Sequence, residues 1–333
     1  MQHRFILRKA ALAAGATVAV TAATLSTAAA ASAAPAQPAA SMAAAAALPV
    51  NFNFLAGFLA TEGSPTTAPP GANNFSCKPS AAHPLPVVLV HGTFENENDN
   101  WQAASPELAN HGYCVFAFNY GGSTATNDIQ GTGEIAASAG QLSTFVNQVL
   151  AATGASKVDL VGHSQGGMMP RYYINILGGA AKVDKLIALA PSNYGTTLDG
   201  LTALGQQLGL LAPINSALAT SCDACVEQEV GSAFLTSLNA HPTAPGVSYT
   251  VIETTGDEVV TPYSNAFLPA ASNVTNITVQ HQCVLDGSDH LELANDPVAM
   301  ADMLNALDPA QPVRVPCLVV TPVFGPVGPV PSF

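Results

Sequence analysis

Short apolar runs rich in β-branched residues recur along the chain, and each is bounded by polar or turn-forming residues. Such runs are typical of strands that are buried on both faces of a parallel sheet. From Glu134 to Leu150, apolar residues instead recur every three or four positions, and Gly154 follows as a stop signal, which predicts a helix. Strands that alternate with helices indicate an α/β fold, with a mostly parallel central sheet and helices on both faces. The predicted strands are 86–90, 113–118, 157–161, 186–190, 247–252 and 276–280.

Residues 1–33 stand outside this pattern. Three basic residues near the start are followed by an apolar run rich in Ala and Thr, and then by Ala31-Ser32-Ala33. This order is that of a secretory signal peptide, whereas a membrane anchor needs about 20 strongly apolar residues. We therefore expect cleavage of residues 1–33, a secreted protein and no stable membrane span.

Three further segments differ from the folded part of the chain. Residues 34–50 are rich in Ala and Pro and predict a disordered leader, so the domain itself is expected over 51–319. Residues 197–220 contain one charge, repeated Gly and a Pro, and they fit either a buried connecting helix or a small mobile lid. The Pro-rich tail, 320–333, is expected to be extended and mobile.

Acidic residues outnumber basic ones. The chain has 22 Asp and Glu against nine Lys and Arg, and removal of residues 1–33 leaves only six basic residues. A surface with this charge repels nucleic acid and anionic membranes over any long range. Nucleic acid is therefore excluded as an expected partner.

The six cysteines of an exported chain permit three disulfides, and six cysteines allow 15 pairings among which the sequence does not choose. The local pair Cys222 and Cys225 has the spacing of a redox motif, but no thioredoxin-like unit surrounds it. A small structural loop is the favoured interpretation. We expect no metal site, because no second pair or histidine follows at the spacing of zinc ligands.

A serine motif lies between a predicted strand and a predicted helix. Gly162-His-Ser-Gln-Gly166 fits G-x-S-x-G, in which the two glycines permit a tight turn that exposes the serine above the end of the sheet. In this context Ser164 is a candidate nucleophile, and the backbone N–H of Gln165 is a candidate oxyanion donor. A second donor is expected from the backbone of Thr93, in His91-Gly92-Thr93 at the end of strand 86–90.

A serine nucleophile needs a base and an acid. In a fold of this kind the acid follows the serine along the chain, and the histidine comes after the acid. Among the later histidines, His290 lies in a polar loop, whereas His241 precedes a proline and His281 directly ends a strand. His290 is therefore the favoured base. Asp257, on the loop after strand 247–252, is the favoured acid, and Glu258 is its nearest rival. The remaining polar neighbours are interpreted structurally: His91 and His163 as packing residues, and Asp286 and Asp289 as loop caps.

Taken in chain order, these motifs resemble the secreted bacterial triacylglycerol lipases of class 2 and, more distantly, fungal lipases of the Candida antarctica lipase B type. The resemblance runs from about Cys77 to Cys317 and implies an α/β-hydrolase fold with a small cap or lid. It rests on the motifs at 90–93, 162–167, 182–191, 195–196, 256–262 and 288–290.

The resemblance also implies roles for individual residues. Ser164, Asp257 and His290 carry over as the triad, Thr93 and Gln165 as oxyanion donors, and Gln228 as a polar residue that lines the acyl side of the pocket. The implied disulfides are Cys77–Cys114, Cys283–Cys317 and Cys222–Cys225.

The expected activity is hydrolysis of carboxylic esters through an acyl-enzyme, with a lipid or ester as substrate, no cofactor and a monomeric protein. A polyester depolymerase with the same triad is the nearest alternative. A non-catalytic surface or binding protein on a hydrolase scaffold is the alternative from another class, although such proteins usually lose a triad member.

Overall fold

The computed structural model describes residues 46–122, 124, 126–197 and 222–333. The predicted signal peptide, most of the predicted leader and almost all of the lid candidate 197–220 lie outside the described residues. Within the described ranges, no helix combines the length and the apolar character that a membrane crossing requires.

A six-stranded, all-parallel sheet forms the centre of the fold, in the order β2-β1-β3-β4-β5-β6. Alternate residues of β1 enter different hydrophobic clusters: Val88 and Val90 pack on one face of the sheet, and Val87 and Leu89 on the other. Strand β1 therefore needs apolar side chains on both faces, which explains its uninterrupted run Val-Val-Leu-Val. The strands are β1 Val87–Val90, β2 Val115–Ala117, β3 Val158–His163, β4 Val183–Leu189, β5 Ser248–Glu253 and β6 Val274–Thr278.

Helices cover both faces of this sheet. The long third helix packs with the first cluster, and the last helix packs with the second. The described helices are α1 Phe54–Thr61, α2 Ala104–Asn110, α3 Ile135–Thr153, α4 Gln165–Met168, α5 Pro170–Asn175, α6 Asp223–Glu227, α7 Ala233–Asn239, α8 Val279–Gln282 and α9 Pro297–Leu307, with short 3-10 turns at Gly179–Ala181, Tyr263–Ala266 and Glu292–Ala294.

All six predicted strands are present, with ends shifted by a few residues. The helix predicted from Glu134 to Leu150 runs on to Thr153, and Gly154 ends it in a left-handed conformation, at φ 79°, with its N–H donating to Leu150 O. The prediction for 276–280 was wrong at its end, because the chain turns into α8 at Val279.

The C-terminal tail, for which an extended chain is predicted, contains a hairpin. Val320–Thr321 pairs with Gly325–Pro326 as a small antiparallel hairpin, β7 and β8, and Val320 also bridges to Asp286. The final residue, Phe333, packs edge-on against Phe52 with ring centroids 6.2 Å apart. The hairpin, the bridge to Asp286 and the Phe333–Phe52 contact hold the tail on the domain, while Phe324 and Val327 stay exposed.

The end of the predicted leader also makes ordered contacts. The backbone of Leu48 exchanges two hydrogen bonds with the Asn110 side chain, at 2.7 and 3.0 Å, and Val50 packs against the second hydrophobic cluster. The folded part therefore begins before residue 51.

The structure contains three disulfides, between Cys77 and Cys114, Cys222 and Cys225, and Cys283 and Cys317. This is the pairing that the family resemblance implies. The third bond joins the segment after α8 to the segment just before the C-terminal tail.

Candidate active site

Ser164 lies on the sharp turn between β3 and α4. Its backbone has φ 54° and ψ −124°, a conformation that L residues rarely adopt and that persists only where the surroundings enforce it. The two flanking glycines make this turn possible: a Cβ on Gly162 would collide with the carbonyl of Gly166, and a Cβ on Gly166 would collide with that of Val90. The motif is thus glycine-rich because backbone segments meet at the nucleophile.

The loop after β1 meets this turn through a hydroxyl group. Thr93 Oγ1 accepts hydrogen bonds from Gln165 Nε2 and from Gln228 Nε2, each at 2.9 Å. Both acceptor positions of the hydroxyl are therefore occupied, which leaves its hydrogen to donate elsewhere. Within the described ranges, the backbone N–H groups of Thr93 and Gln165 make no hydrogen bond.

Gln228 is held rigidly in this arrangement. Its side chain is buried, its Oε1 accepts from Ser192 Oγ at 2.8 Å, and its Nε2 donates to Thr93. The structure thus places Gln228 behind the Thr93 hydroxyl, a contact that the sequence did not predict.

His290 and Asp257 form a buried pair, with His290 Nδ1 2.7 Å from Asp257 Oδ2. The other carboxylate oxygen accepts from the N–H groups of Val259 and Val260, at 2.8 and 2.7 Å, which orients the acid towards the histidine. Because Nδ1 faces a carboxylate, it carries the proton, and Nε2 has a lone pair. Among the described residues, Nε2 has no hydrogen-bond partner.

The electrostatic surroundings of His290 favour its protonated form. Burial alone would lower its pKa, but the charge and the hydrogen bond of Asp257 outweigh it, with smaller contributions from Glu258 and Glu95, so the pKa is raised above 6.5. Such a shift suits a base that must take up a proton and be stabilised as an imidazolium.

The buried pair does not include the alternative acid, Glu258, or the alternative bases, His241 and His281. The carboxylate in contact with His290 belongs to Asp257, while Glu258 acts on it through charge. His241 and His281 are both exposed. Asp286 accepts from the Ser288 N–H, and Asp289 accepts from the Glu292 N–H, both at 2.8 Å, as expected of residues that cap a loop.

Of the two histidines interpreted as packing residues, only His91 has that character. Its ring stacks on Tyr120, with centroids 4.2 Å apart, and burial is the main cause that lowers its pKa to about 4. His163 instead contacts the buried carboxylate of Glu95, which sequence reasoning missed. Glu95 lies in a run of six polar residues at 95–100, all of which are buried, and the sequence carries no signal of that burial.

Apolar side chains adjoin each part of this site. Phe94 follows Thr93, Leu291 follows His290, and Val259 follows the acid loop, and all three join Phe54 of α1 in one buried cluster. Partly buried side chains extend this wall: Phe58, Ile129, Cys222, Cys225 and Val323. The surroundings of the polar groups are thus suited to hydrocarbon rather than to charged groups.

Carboxyl groups are concentrated in the loop around His290. Asp286, Asp289, Glu292 and Asp296 are buried, and each has one side-chain oxygen without a hydrogen-bond partner among the described residues. Burial is the main cause that raises the pKa of Glu292 to about 9, although its carboxyl accepts a bond from the Phe54 N–H at 3.0 Å. Glu292 is therefore uncharged at neutral pH.

We expect Glu292→Gln to stabilise the protein increasingly as the pH rises. Because the pKa of Glu292 is higher in the folded state, unfolding releases a proton between pH 4.5 and about 9. In this window its contribution to the free energy of unfolding falls by about 1.4 kcal/mol per pH unit, and glutamine has no proton to lose. Urea unfolding at several pH values measures the slope. The exposed Glu62→Gln serves as control, and a pH-independent difference between Glu292→Gln and wild type would contradict the expectation.

In the part of the chain that the structure describes, no group of three or more His, Cys, Asp or Glu side chains is arranged to hold a metal ion. The His290–Asp257 pair and the serine turn are instead groups suited to acid-base and nucleophilic chemistry.

Comparisons with known proteins agree with this fold. The chain is similar to triacylglycerol lipases from Pseudarthrobacter phenanthrenivorans and Burkholderia plantarii, each 44% identical over 97 residues. These matches cover 28% of this chain and 28% and 25% of the two relatives, so the similar segment spans about a quarter of their length. The structure of Aspergillus fumigatus lipase B is similar in fold, with a TM-score of 0.55 and 22% identity over 72% of this chain and 55% of that one.

The model of the family named Lipase (class 2) matches residues 84–301, which is about two thirds of the chain. This match spans all the candidate catalytic residues from Thr93 to His290. The fold is that of the α/β hydrolases, and the protein belongs to the class 2 lipase family.

Proposed function

We propose that the protein hydrolyses carboxylic esters and that its substrates are acylglycerols, with Ser164 as nucleophile. The observation that carries the proposal is the pairing of His290 with Asp257 at 2.7 Å, which leaves Nε2 of the histidine unpartnered in a site that also contains a strained, glycine-flanked serine. Membership of the class 2 lipase family supports the same reaction.

The mechanism follows from these groups. The Oγ atom of Ser164 attacks the ester carbonyl while His290 Nε2 takes the serine proton. Asp257 stabilises the imidazolium that forms. The Thr93 and Gln165 N–H groups bind the oxyanion, and the unused hydrogen of the Thr93 hydroxyl supplies a third donor. The imidazolium protonates the departing alcohol. Water activated by His290 then cleaves the acyl-enzyme.

The substrate class rests on the apolar wall beside the triad. The buried side chains of Phe94, Leu291 and Val259 make the protein interior beside the triad apolar, and an acidic protein surface disfavours anionic substrates. The two relatives described as triacylglycerol lipases support acylglycerols as substrates. All the proposed catalytic residues come from one chain, so a monomer suffices for the chemistry.

We also propose that the protein acts outside the cell. Three disulfides and the signal-like pattern over residues 1–33 support this location, because disulfides persist in oxidising compartments. The proposed cleavage would place the new N-terminus in the Ala/Pro-rich segment after residue 33.

The decisive experiment is an ester panel. We expect turnover of p-nitrophenyl esters from acetate to palmitate and of an emulsified triacylglycerol, with inactivation by an alkyl phosphonate that adds its mass to Ser164. Turnover of short esters alone would show that the protein is an esterase and that acylglycerols are not its substrates. Release of monomers from a polyester film with no triacylglycerol hydrolysis would favour a polyesterase. Absence of both turnover and phosphonate labelling would refute the proposed function.

A further inference from the structure

A second histidine and carboxylate lie directly behind the proposed triad. His163, the last residue of β3, has its Nδ1 3.0 Å from Glu95 Oε2, and both side chains are 1% exposed. The two residues are 68 positions apart in the chain. A contact between two titratable side chains at this depth needs complete hydrogen bonding to be tolerated.

The hydrogen bonds indicate where the protons are. His163 Nε2 lies 3.0 Å from the carbonyl oxygen of His290, which only accepts, so Nε2 carries a hydrogen. Glu95 accepts from Asn100 Nδ2 through Oε1 and from the Gly92 N–H through Oε2, at 3.0 and 3.1 Å. A carboxylate that accepts several such bonds is stabilised in its ionised form. An ionised Glu95 requires a hydrogen on Nδ1 as well.

Two alternatives assign the proton differently. Asn100 Nδ2 also lies 3.0 Å from His163 Nδ1, so a neutral His163 would accept from it, with the lone pairs of Nδ1 and Glu95 Oε2 facing each other. The other alternative places a proton on Glu95. Both forms lose the ionic attraction in a site where charge-assisted bonds are the strongest available.

The pair connects the three segments that carry the proposed machinery. His163 adjoins Ser164 and donates to the backbone of His290, while Glu95 and Asn100 both hold the N–H of Gly92, which precedes Thr93. A side chain at Gly92 would collide with Glu95, so glycine is required for this approach. One contact network therefore sets the positions of the nucleophile, the base loop and the oxyanion loop.

Resting on the proposed function, we propose that His163 is a buried cation paired with Glu95, and that this pair is a positioning device for catalysis. It touches no reacting atom. It holds the His290 backbone and the Gly92–Thr93 peptide in register with Ser164, which is the geometry that transition-state stabilisation needs. Among the described residues, the other titratable groups that face the pair are His91, which burial holds neutral, Asp99 and Tyr120, which both interact with Glu95 through charge, and His290 with Asp257.

The protonation state is tested directly with protein carrying ¹⁵N-labelled histidine. We expect both ring nitrogens of His163 to carry a hydrogen in the folded wild-type protein, and Glu95→Gln to convert the ring to the singly protonated form. A singly protonated ring in the wild type would overturn the proposal. This measurement needs no turnover, so it stands even if the ester panel fails.

The positioning role is tested by kinetics of Glu95→Gln and of the matched control Glu97→Gln. Glu97 is a buried residue of the same loop that instead accepts from Asn73 at 3.0 Å. We expect Glu95→Gln to lower kcat roughly 10- to 100-fold with KM little changed, since displaced groups impair the transition state more than substrate binding. The Glu97 variant should stay within about twofold of wild type.

The double variant Glu95→Gln/His163→Gln completes the test. If the two residues act as one unit, it should lose no more activity than the worse single variant, because its amides can bond without charge. Independent, multiplied losses would overturn the pairing, as would equal losses in the Glu95 and Glu97 variants.

A second measurement applies if neither the wild type nor any variant turns over an ester. Backbone amide chemical shifts at Thr93 and Leu291 then report the positions of the two loops. These shifts should move in Glu95→Gln and not in Glu97→Gln, and the opposite result would overturn the proposal.

Discussion

Ser164→Ala is expected to lower kcat for ester hydrolysis by about 10⁶, while the fold is retained. Loss of the nucleophile in a triad hydrolase removes nearly all of the catalysis that depends on it, and what remains comes from the oxyanion site and binding. The left-handed backbone at Ser164 is no less accessible to alanine than to serine. Kinetics with p-nitrophenyl butyrate and thermal unfolding by circular dichroism measure the two parts of the expectation.

The matched control is Ser138→Ala, which removes another buried hydroxyl. Ser138 lies in α3, and its hydroxyl donates to the Glu134 carbonyl within the same helix rather than to a proposed catalytic residue. This variant should retain full turnover. If Ser164→Ala keeps more than a few per cent of wild-type activity, with contamination excluded by a tagged preparation, the serine mechanism is wrong.

The central sheet was accessible from sequence because its physical requirement is local. A parallel strand covered by helices on both sides, such as β1, needs apolar residues on both of its faces, and that requirement appears as a continuous apolar run. Strand ends were less accessible: Val279 belongs to the run in sequence, yet the chain turns there into α8. Hydrophobicity alone does not mark where the backbone changes direction.

The candidate site was also predictable from the sequence only in part. The glycines around Ser164 announce a tight turn because only small residues fit where backbones meet. The buried polar run at 95–100 was not recognisable, since polar residues after a strand indicate an exposed loop. Their partners, such as His163 for Glu95, come from distant parts of the chain and appear only once the sheet has placed them together.

The tail illustrates a third case. Its prolines predict an extended chain, whereas the structure has two short strands joined by a turn at 322–324, because proline content says nothing about what the intervening residues contact. The N–H of Val323 donates to Asp289 Oδ1, and its carbonyl accepts from Leu55 N–H, so the tail supports both α1 and the His290 loop.

Asp257→Asn is expected to lower kcat by about 10⁴ because it changes which ring nitrogen of His290 carries the proton. The amide oxygen of asparagine can keep the bonds from Val259 and Val260, which fixes its NH₂ group towards His290 Nδ1. Nδ1 must then accept, the ring proton moves to Nε2, and the base loses the lone pair that would take the proton of Ser164. Steady-state kinetics on the same esters measure the loss, and unchanged thermal unfolding would show that the effect is catalytic.

The pH dependence of the Asp257 and Glu258 variants separates the two candidate acids. Activity of the wild type should rise as the pH passes upward through the pKa of His290, because the neutral ring is the active form. Asp257 is the largest of the causes that raise this pKa, so in Asp257→Asn burial prevails and the acid limb moves to lower pH. Glu258→Gln removes only a weaker charge effect and should move the limb slightly in the same direction, with turnover within a few-fold of wild type. Comparable losses of kcat in the two variants would contradict the assignment of Asp257, since they would show that no single carboxylate holds the histidine.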